Sequence, residues 1–227
     1  NNPLNFATTG VYTLKKRAKL LAPEHREEYA DLVNDIEDGL QRVQAIIADL
    51  RSFSHHENEL TEPVEMAGIV AAALRFLSHE WRGQIQIHET LPAGLVVSGN
   101  KNKLTQVLVN LLHNAVDAIK RKAYPPGEAS AIWIEGRREN QRTLIVVRDN
   151  GTGISARHLD KIFDPFFTTK EVGEGMGLGL SIVYRLVRDF GGRIRVRSEP
   201  GQFTEFTLDF PLEAAPAGAP EPDPNRA

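Results

Sequence analysis

QVLVNLLHNAVDAIK, residues 106–120, decides how the chain is read. Asn110, Asn114 and Asp117 stand at spacings of 4 and 3, on one helix face. Val107, Leu108, Leu111, Leu112 and Ile119 occupy much of the remaining surface. A polar stripe among so many apolar neighbours needs partners if it is buried. Internal hydrogen bonds would satisfy it, and so would a ligand. An asparagine carbonyl is a neutral, hard oxygen donor, suited to Mg²⁺ already held by phosphates.

Three stretches follow that helix in order. VVRDNGTGI, residues 146–154, reads as a buried strand ending in Asp149 and then a glycine turn. An ionised carboxylate there only accepts hydrogen bonds and could take one from an amino group such as adenine's. Gly151 and Gly153 would let the backbone pass close to a flat ring. On its own, Asp-Asn-Gly is usually just a turn. IFDPFFTTK, residues 162–170, sets three phenylalanines around a proline, rings suited to anchoring a loop. Thr168, Thr169 and Lys170 then offer two hydroxyls and a point charge to phosphate oxygens. In GEGMGLGLSIVYRLV, residues 173–187, Gly173, Gly175, Gly177 and Gly179 alternate before a helix begins, with Leu178 and Leu180 interleaved. Backbone N–H groups at such a start bind phosphate. No Gly-Lys-Ser/Thr ends the loop and no strand precedes it, so it is neither a Walker A loop nor a dinucleotide fingerprint.

Outward from these motifs the pattern predicts helices near 65–80, 101–122, 155–161 and 178–190. It predicts strands near 84–90, 95–98, 131–138, 142–149, 193–199 and 203–210. The expected fold class is α+β, an α/β sandwich with helices on one face of a mixed sheet over residues 61–213. Residues 1–60 read differently. Leu4, Ala7, Val11, Leu14, Ala18 and Leu21 recur at alternating spacings of 3 and 4, and so do Tyr29, Val33, Ile36, Leu40, Val43, Ile47 and Leu50. Pro23 separates the two stripes. Both carry the period of a coiled-coil seam, which predicts a two-helix hairpin. A lone hairpin leaves such a stripe half covered, and packing on the chain's own second domain is one way to cover the rest. Pairing of two hairpins into a four-helix bundle covers it fully, and the uninterrupted stripes favour a homodimer through residues 1–58. The Pro/Ala-rich tail, residues 214–227, is expected to be disordered.

Composition bounds the function. The chain has 227 residues, 41% of them apolar, a net charge of −3 and no cysteine. Mixed charges without a basic face argue against nucleic acid. The lack of thiols excludes disulfides and thiolate metal sites. No apolar run approaches the roughly 18 residues of a membrane span, so no membrane contact by this fragment is expected; the expected setting is cytoplasmic, with the cytoplasmic part of a longer, membrane-anchored protein as the alternative.

In their order, the four stretches resemble the N, G1, F and G2 motifs of the catalytic core of bacterial sensor histidine kinases. GQFTEFTLDF, residues 201–210, is similar to their G3 motif. The resemblance covers the chain except its tail and implies a GHKL-type (Bergerat) ATP-binding fold behind a dimerisation and phosphotransfer hairpin. It implies ATP and Mg²⁺ as cofactors, with Asn114 on Mg²⁺ and Asn110 beside it. It implies Asp149 on the adenine amino group, Gly151 and Gly153 shaping that pocket, and Thr204 near the ring. Gly175, Gly177 and Gly179 would form the phosphate end of a lid over residues 164–177. Asp117, Thr168, Thr169, Leu178 and Leu180 complete the implied nucleotide-binding set. Many family members carry a basic residue where this chain has Asp117, and Lys170 is assigned the compensating charge. Phe203 stands where the last motif often has glycine.

The implied reaction moves the γ-phosphoryl of ATP to a histidine and then to an aspartate on a response-regulator receiver domain. NNP at the start is similar to the end of the family's H-E-x-x-N/T-P motif. The acceptor histidine is then expected three residues before Asn1, outside this sequence, so that this fragment alone would not phosphorylate itself. Asn2 would take the position that orients water for phospho-aspartate hydrolysis. A linker near Glu59–Pro63 would let the ATP domain swing towards the hairpin. A GHKL-type ATPase and a non-catalytic dimeric nucleotide-binding scaffold are the alternatives. Asn110 stands where such ATPases carry a catalytic acid, usually glutamate.

Overall fold

The computed structural model describes residues 3–37, 39–40, 61–81, 84–170 and 176–212. It divides into two units, Asn1–His56 and Glu57–Ala227.

In the first unit α1 runs from Pro3 to Arg17. A proline in the first helical position loses no bond, and Lys15, Lys16 and Arg17 oppose the dipole at the other end. Single 3₁₀ turns at Ala18–Leu20 and Pro23–His25 lead into α2, residues 26–37. Arg26 ties the corner, donating from Nε to the Leu21 carbonyl at 3.0 Å and from Nη2 to the Lys19 carbonyl at 3.2 Å. The Tyr29 hydroxyl donates to the Leu14 carbonyl at 3.4 Å, and Lys15 pairs with Glu37. Val11 and Val33, both on the stripes, are buried. Leu14 and Ile36, also on the stripes, are exposed, as are Phe6, Leu20 and Leu32. The rest of the second stripe, Val43, Ile47 and Leu50, lies outside the described residues, as do Asn2 and the tail.

The second unit is a two-layer sandwich. Its strands are β1 (Glu62–Glu65), β2 (Gln86–Thr90), β3 (Val96–Gly99), β4 (Ala131–Glu139), β5 (Arg142–Asp149), β6 (Arg193–Glu199) and β7 (Phe203–Pro211). Its helices are α3 (Met66–Trp81), α4 (Lys101–Lys120), α5 (Ala156–Leu159) and α6 (Gly179–Asp189). The main sheet has the order β2-β4-β5-β7-β6, parallel between β2 and β4 and antiparallel elsewhere. Its inner face supplies Ile132, Ile134, Ile145, Val147, Phe206, Leu208 and Phe210 to the core. Leu104, Leu108, Leu111 and Leu112 of α4 meet them, with α3 and α6 packed on either side. Each such fully buried side chain contributes about 1.5–3 kcal/mol.

Several elements depart from the sequence pattern: β2 begins at Gln86 rather than 84, α5 ends at Leu159 rather than 161, and β1 and α4 differ as follows. Glu62 and Pro63, expected in a linker, belong to β1, which pairs antiparallel with β3 in a separate two-stranded sheet. Only Val64 of that short strand is buried, so it shows no alternation to read. Helix α4, capped by the Asn100 side chain on the Lys103 N–H at 3.0 Å, stops at Lys120, two residues before the predicted end. That frees Lys122 to turn back over the sheet.

Candidate functional site

The site grows from the inner face where α4 passes the end of β5. Asp149 closes β5 and is 4% exposed. Its Oδ1 accepts the Gly151 N–H at 2.8 Å. Burial pushes its carboxyl up to about 7 from the ordinary 3.8, while that N–H and the charges of Lys122 and Arg148 act the other way. In register, Asp149 lies opposite Thr204 of β7, and Thr204 lies opposite Ser198 of β6. Thr204 is buried, its hydroxyl 3.2 Å from that of Ser198. Ser198 Oγ also accepts the Ile154 N–H and donates to the Phe203 carbonyl, both at 2.7 Å.

The turn after Asp149 is pinned on both sides. Thr152 N–H donates to the Ala118 carbonyl of α4 at 3.2 Å, and Gly201 N–H donates to the Thr152 carbonyl at 2.7 Å. A Cβ on Gly151 would lie 2.6 Å from the Ala118 carbonyl carbon. Gly153 has φ +67°, and its Cβ would sit 2.2 Å from the Glu199 carbonyl oxygen. Both facts demand glycine there. Phe203, where a glycine was expected, is capped by the Arg148 guanidinium, 4.2 Å from its ring centroid.

At the other end of the polar face of α4, Asn110 Nδ2 donates to the Gly179 carbonyl at 3.4 Å, joining the helix to the start of α6. Asn114 is partly buried on the same face. Asp117 pairs with Lys170 through its Oδ2, which also lies 3.5 Å from His113 Nδ1. Lys170 is therefore engaged by the acid it was expected to offset. Its own backbone N–H donates to Thr168 Oγ1 at 3.1 Å, and Thr168 and Thr169 are exposed.

Gly177 has φ +68° and runs so close to the Phe166–Phe167 backbone that a Cβ would meet the Phe167 carbonyl oxygen at 2.4 Å. Gly179 shows no such crowding, its nearest contact being Asn110 at 3.8 Å. Leu178 is buried and its carbonyl accepts the Ser181 hydroxyl at 2.8 Å, while Leu180 packs against the core. These two leucines thus build the seat of α6. Gly173 and Gly175 lie outside the described residues.

Four residues of this site escaped the sequence reading. Ser198 is one. The others are Asn150, Lys122 and Tyr124, which meet behind Asp149. Asn150 lies inside the quoted motif, but its neighbours lie on a loop without periodicity. Among the described residues no group of three or more His, Cys, Asp or Glu is placed to hold a metal ion. Nor is any described helix long and apolar enough to cross a membrane.

A buried acceptor at a strand end, a glycine turn docked on an asparagine-bearing helix, and a glycine segment opening α6 define a nucleotide-binding domain. Residues 99–214 match the family described as histidine kinase-, DNA gyrase B- and HSP90-like ATPase, and the chain belongs to it. Its relatives include the sensor kinase CckA of Brucella abortus (strain 2308), 32% identical over 204 residues, covering 85% of this chain and 22% of that protein. They also include the C4-dicarboxylate transport sensor protein DctB of Rhizobium meliloti (strain 1021), 36% identical over 201 residues, covering 88% and 30%. The chain thus spans between about a fifth and a third of the length of these relatives. Among solved structures it is similar to full-length ShkA in complex with AMPPNP, with TM-score 0.73 and 25% identity, covering 94% of this chain and 44% of that one. It is also similar to the histidine kinase ThkA in complex with the response regulator protein TrrA, with TM-score 0.65 and 25% identity, covering 94% and 58%.

Proposed function

We propose that the chain is the cytoplasmic kinase core of a two-component sensor. It would bind ATP, transfer the γ-phosphoryl to a histidine and pass it to an aspartate of a response-regulator receiver domain. The observation that carries this reading is Asp149, a buried acceptor whose Oδ1 holds the Gly151 N–H, set opposite Thr204 and against the Asn110–Asn114–Asp117 helix. That set fits a purine amino group. Gly151, Gly153 and Thr204 would line the base end. Thr168, Thr169 and Lys170 would meet phosphate, with Gly175 and Gly177 in the lid and Gly179 at its hinge. Catalysis in this class is chiefly positioning and charge stabilisation, which Lys170 and Asn114 would supply. Asn114 would hold Mg²⁺, whose bound charge offsets that of the phosphates.

ShkA was captured with AMPPNP and ThkA with a response regulator, which supports the same ligand and partner here. A homodimer through the hairpin is supported by the exposure of Phe6 (69%), Leu20 (83%), Leu32 (56%) and Ile36 (49%), which pairing of hairpins would cover. Asn2 remains the proposed water-orienting residue of a phosphatase activity.

Calorimetric titration with Mg-ATP tests the proposal. Saturable binding that Asp149→Ala weakens strongly is expected. No binding would favour a scaffold, and multiple-turnover hydrolysis without a receiver domain would favour an ATPase.

A further inference from the structure

The loop after α4, residues 121–130, has no place in the motif order, yet two of its side chains close on the turn that carries Asp149. Lys122 Nζ donates to the Asn150 carbonyl at 2.8 Å. The Tyr124 hydroxyl lies 3.1 Å from the same carbonyl and 3.2 Å from Asn150 Oδ1. The Asn150 side chain is bound to the strand beyond: Oδ1 accepts the Ala131 N–H at 2.8 Å and Nδ2 donates to the Ala129 carbonyl at 2.9 Å. Lys122 is only 14% exposed, with its ammonium 4.9 Å from the Tyr124 ring centroid and 3.4 Å from Glu128. A lysine so enclosed loses side-chain entropy, and surface packing alone would not require it.

We propose that Lys122, braced by Tyr124, is a positioning residue of the base end: it fixes the Asn150 carbonyl, and so the Asp149–Gly151 turn, and its charge keeps the Asp149 carboxylate ready to accept the purine amino group. The inference rests on the adenine reading of Asp149. Its electrostatic half follows from what faces that carboxylate. Arg148, on the same strand, is a second cation acting on it, paired with Glu205 at 3.4 Å as Lys122 is with Glu128. From β7 the neighbour in register is Thr204, which is uncharged. From α4, Asp117 is already paired with Lys170. From the loop come Lys122, Tyr124 and, beyond them, Glu128. Burial first, then the charges of Asp149 and Glu128, push the Tyr124 hydroxyl up to about 12, so it stays a neutral donor. Asp149 itself is balanced near 7, so the loss of one neighbouring cation moves it across the working pH range.

The test is Mg-ADP affinity of this chain from pH 6 to pH 9, for the parent, Lys122→Met, Lys122→Arg and Tyr124→Phe. If Lys122→Met raises the Asp149 pKa by about one unit, the loss of affinity at pH 7 is about fivefold larger than the loss at pH 9, where only the missing positioning contact remains. Lys122→Arg should return the midpoint to the parent's. Tyr124→Phe should weaken binding equally at every pH. Should Lys122→Met fail to fold, Lys122→Gln carries the same comparison. A Lys122→Met curve parallel to the parent's, or an arginine that fails to restore the midpoint, would overturn the proposal while leaving adenine binding intact. Absence of Mg-ADP binding by the parent would overturn the adenine reading and this inference with it.

Discussion

The proposed base end of the site is fastened before any ligand arrives, whereas at the proposed phosphate end the described hydroxyls face solvent. Around Asp149 the carboxylate holds Gly151, Thr204 holds Ser198, and Thr152 and Gly201 lock the turn between α4 and β7. At the other end Thr168 and Thr169 face solvent, and Lys170 is bound to Asp117. Preformed polar groups lower the cost of ordering a ligand. The purine is therefore expected to supply the anchoring affinity. On the proposed reading the phosphates would first draw Lys170 from Asp117, an exchange of one anion for another that leaves a smaller net gain.

Three substitutions can break or sharpen that contrast. The largest effect is expected from Gly153→Ala. A left-handed backbone and a Cβ at 2.2 Å from the Glu199 carbonyl should cost about 3 kcal/mol in stability and disrupt the base end, read by urea unfolding and by adenosine binding. A fully stable variant would mean the turn is not fixed.

Next is Asp149→Asn. The folded carboxyl titrates about 7, above its ordinary 3.8, so the folded state holds the proton more tightly. The stability this provides is present below about pH 4 and is lost as pH rises through 7. Asparagine, which never ionises, should therefore stabilise the ligand-free chain at pH 8 by on the order of a few kcal/mol and change little at pH 4, while impairing nucleotide binding. Equal stabilities at pH 8 would show that the buried charge costs nothing.

The smallest effect is expected from Lys170→Ala, which should weaken Mg-ATP by about tenfold and leave adenosine within about twofold, because it acts only at the open end. An unchanged affinity for Mg-ATP would remove Lys170 from the site.

The same contrast explains what could be read from the sequence. The three-residue and four-residue spacing of Asn110, Asn114 and Asp117 is a property of one helix, and the apolar run of β5 leads directly to Asp149. Such local patterns carry their geometry with them, so the sandwich and the order of its motifs were legible. Contacts across long sequence separations were not. Nothing local shows that Ser198 lies opposite Thr204, or that Lys122 returns to Asn150 once α4 ends at Lys120. Strand β1 was hidden for another reason: with four residues and a single buried side chain it offers no period. The pairing of Lys170 with Asp117 joins positions 53 residues apart, which charge counting suggested as compensation but could not place as a contact.

The central claim, that Asp149 accepts a hydrogen bond from the six-position amino group of a purine, is tested most directly by comparing ADP with inosine diphosphate at pH 8. Inosine presents a carbonyl oxygen at that position, which an ionised carboxylate repels. The chain should bind ADP on the order of a hundredfold more tightly, because a site built for a donor rejects the analogue that lacks it. Asp149→Ala should abolish that preference. Equal affinity of the parent chain for the two nucleotides would contradict the account.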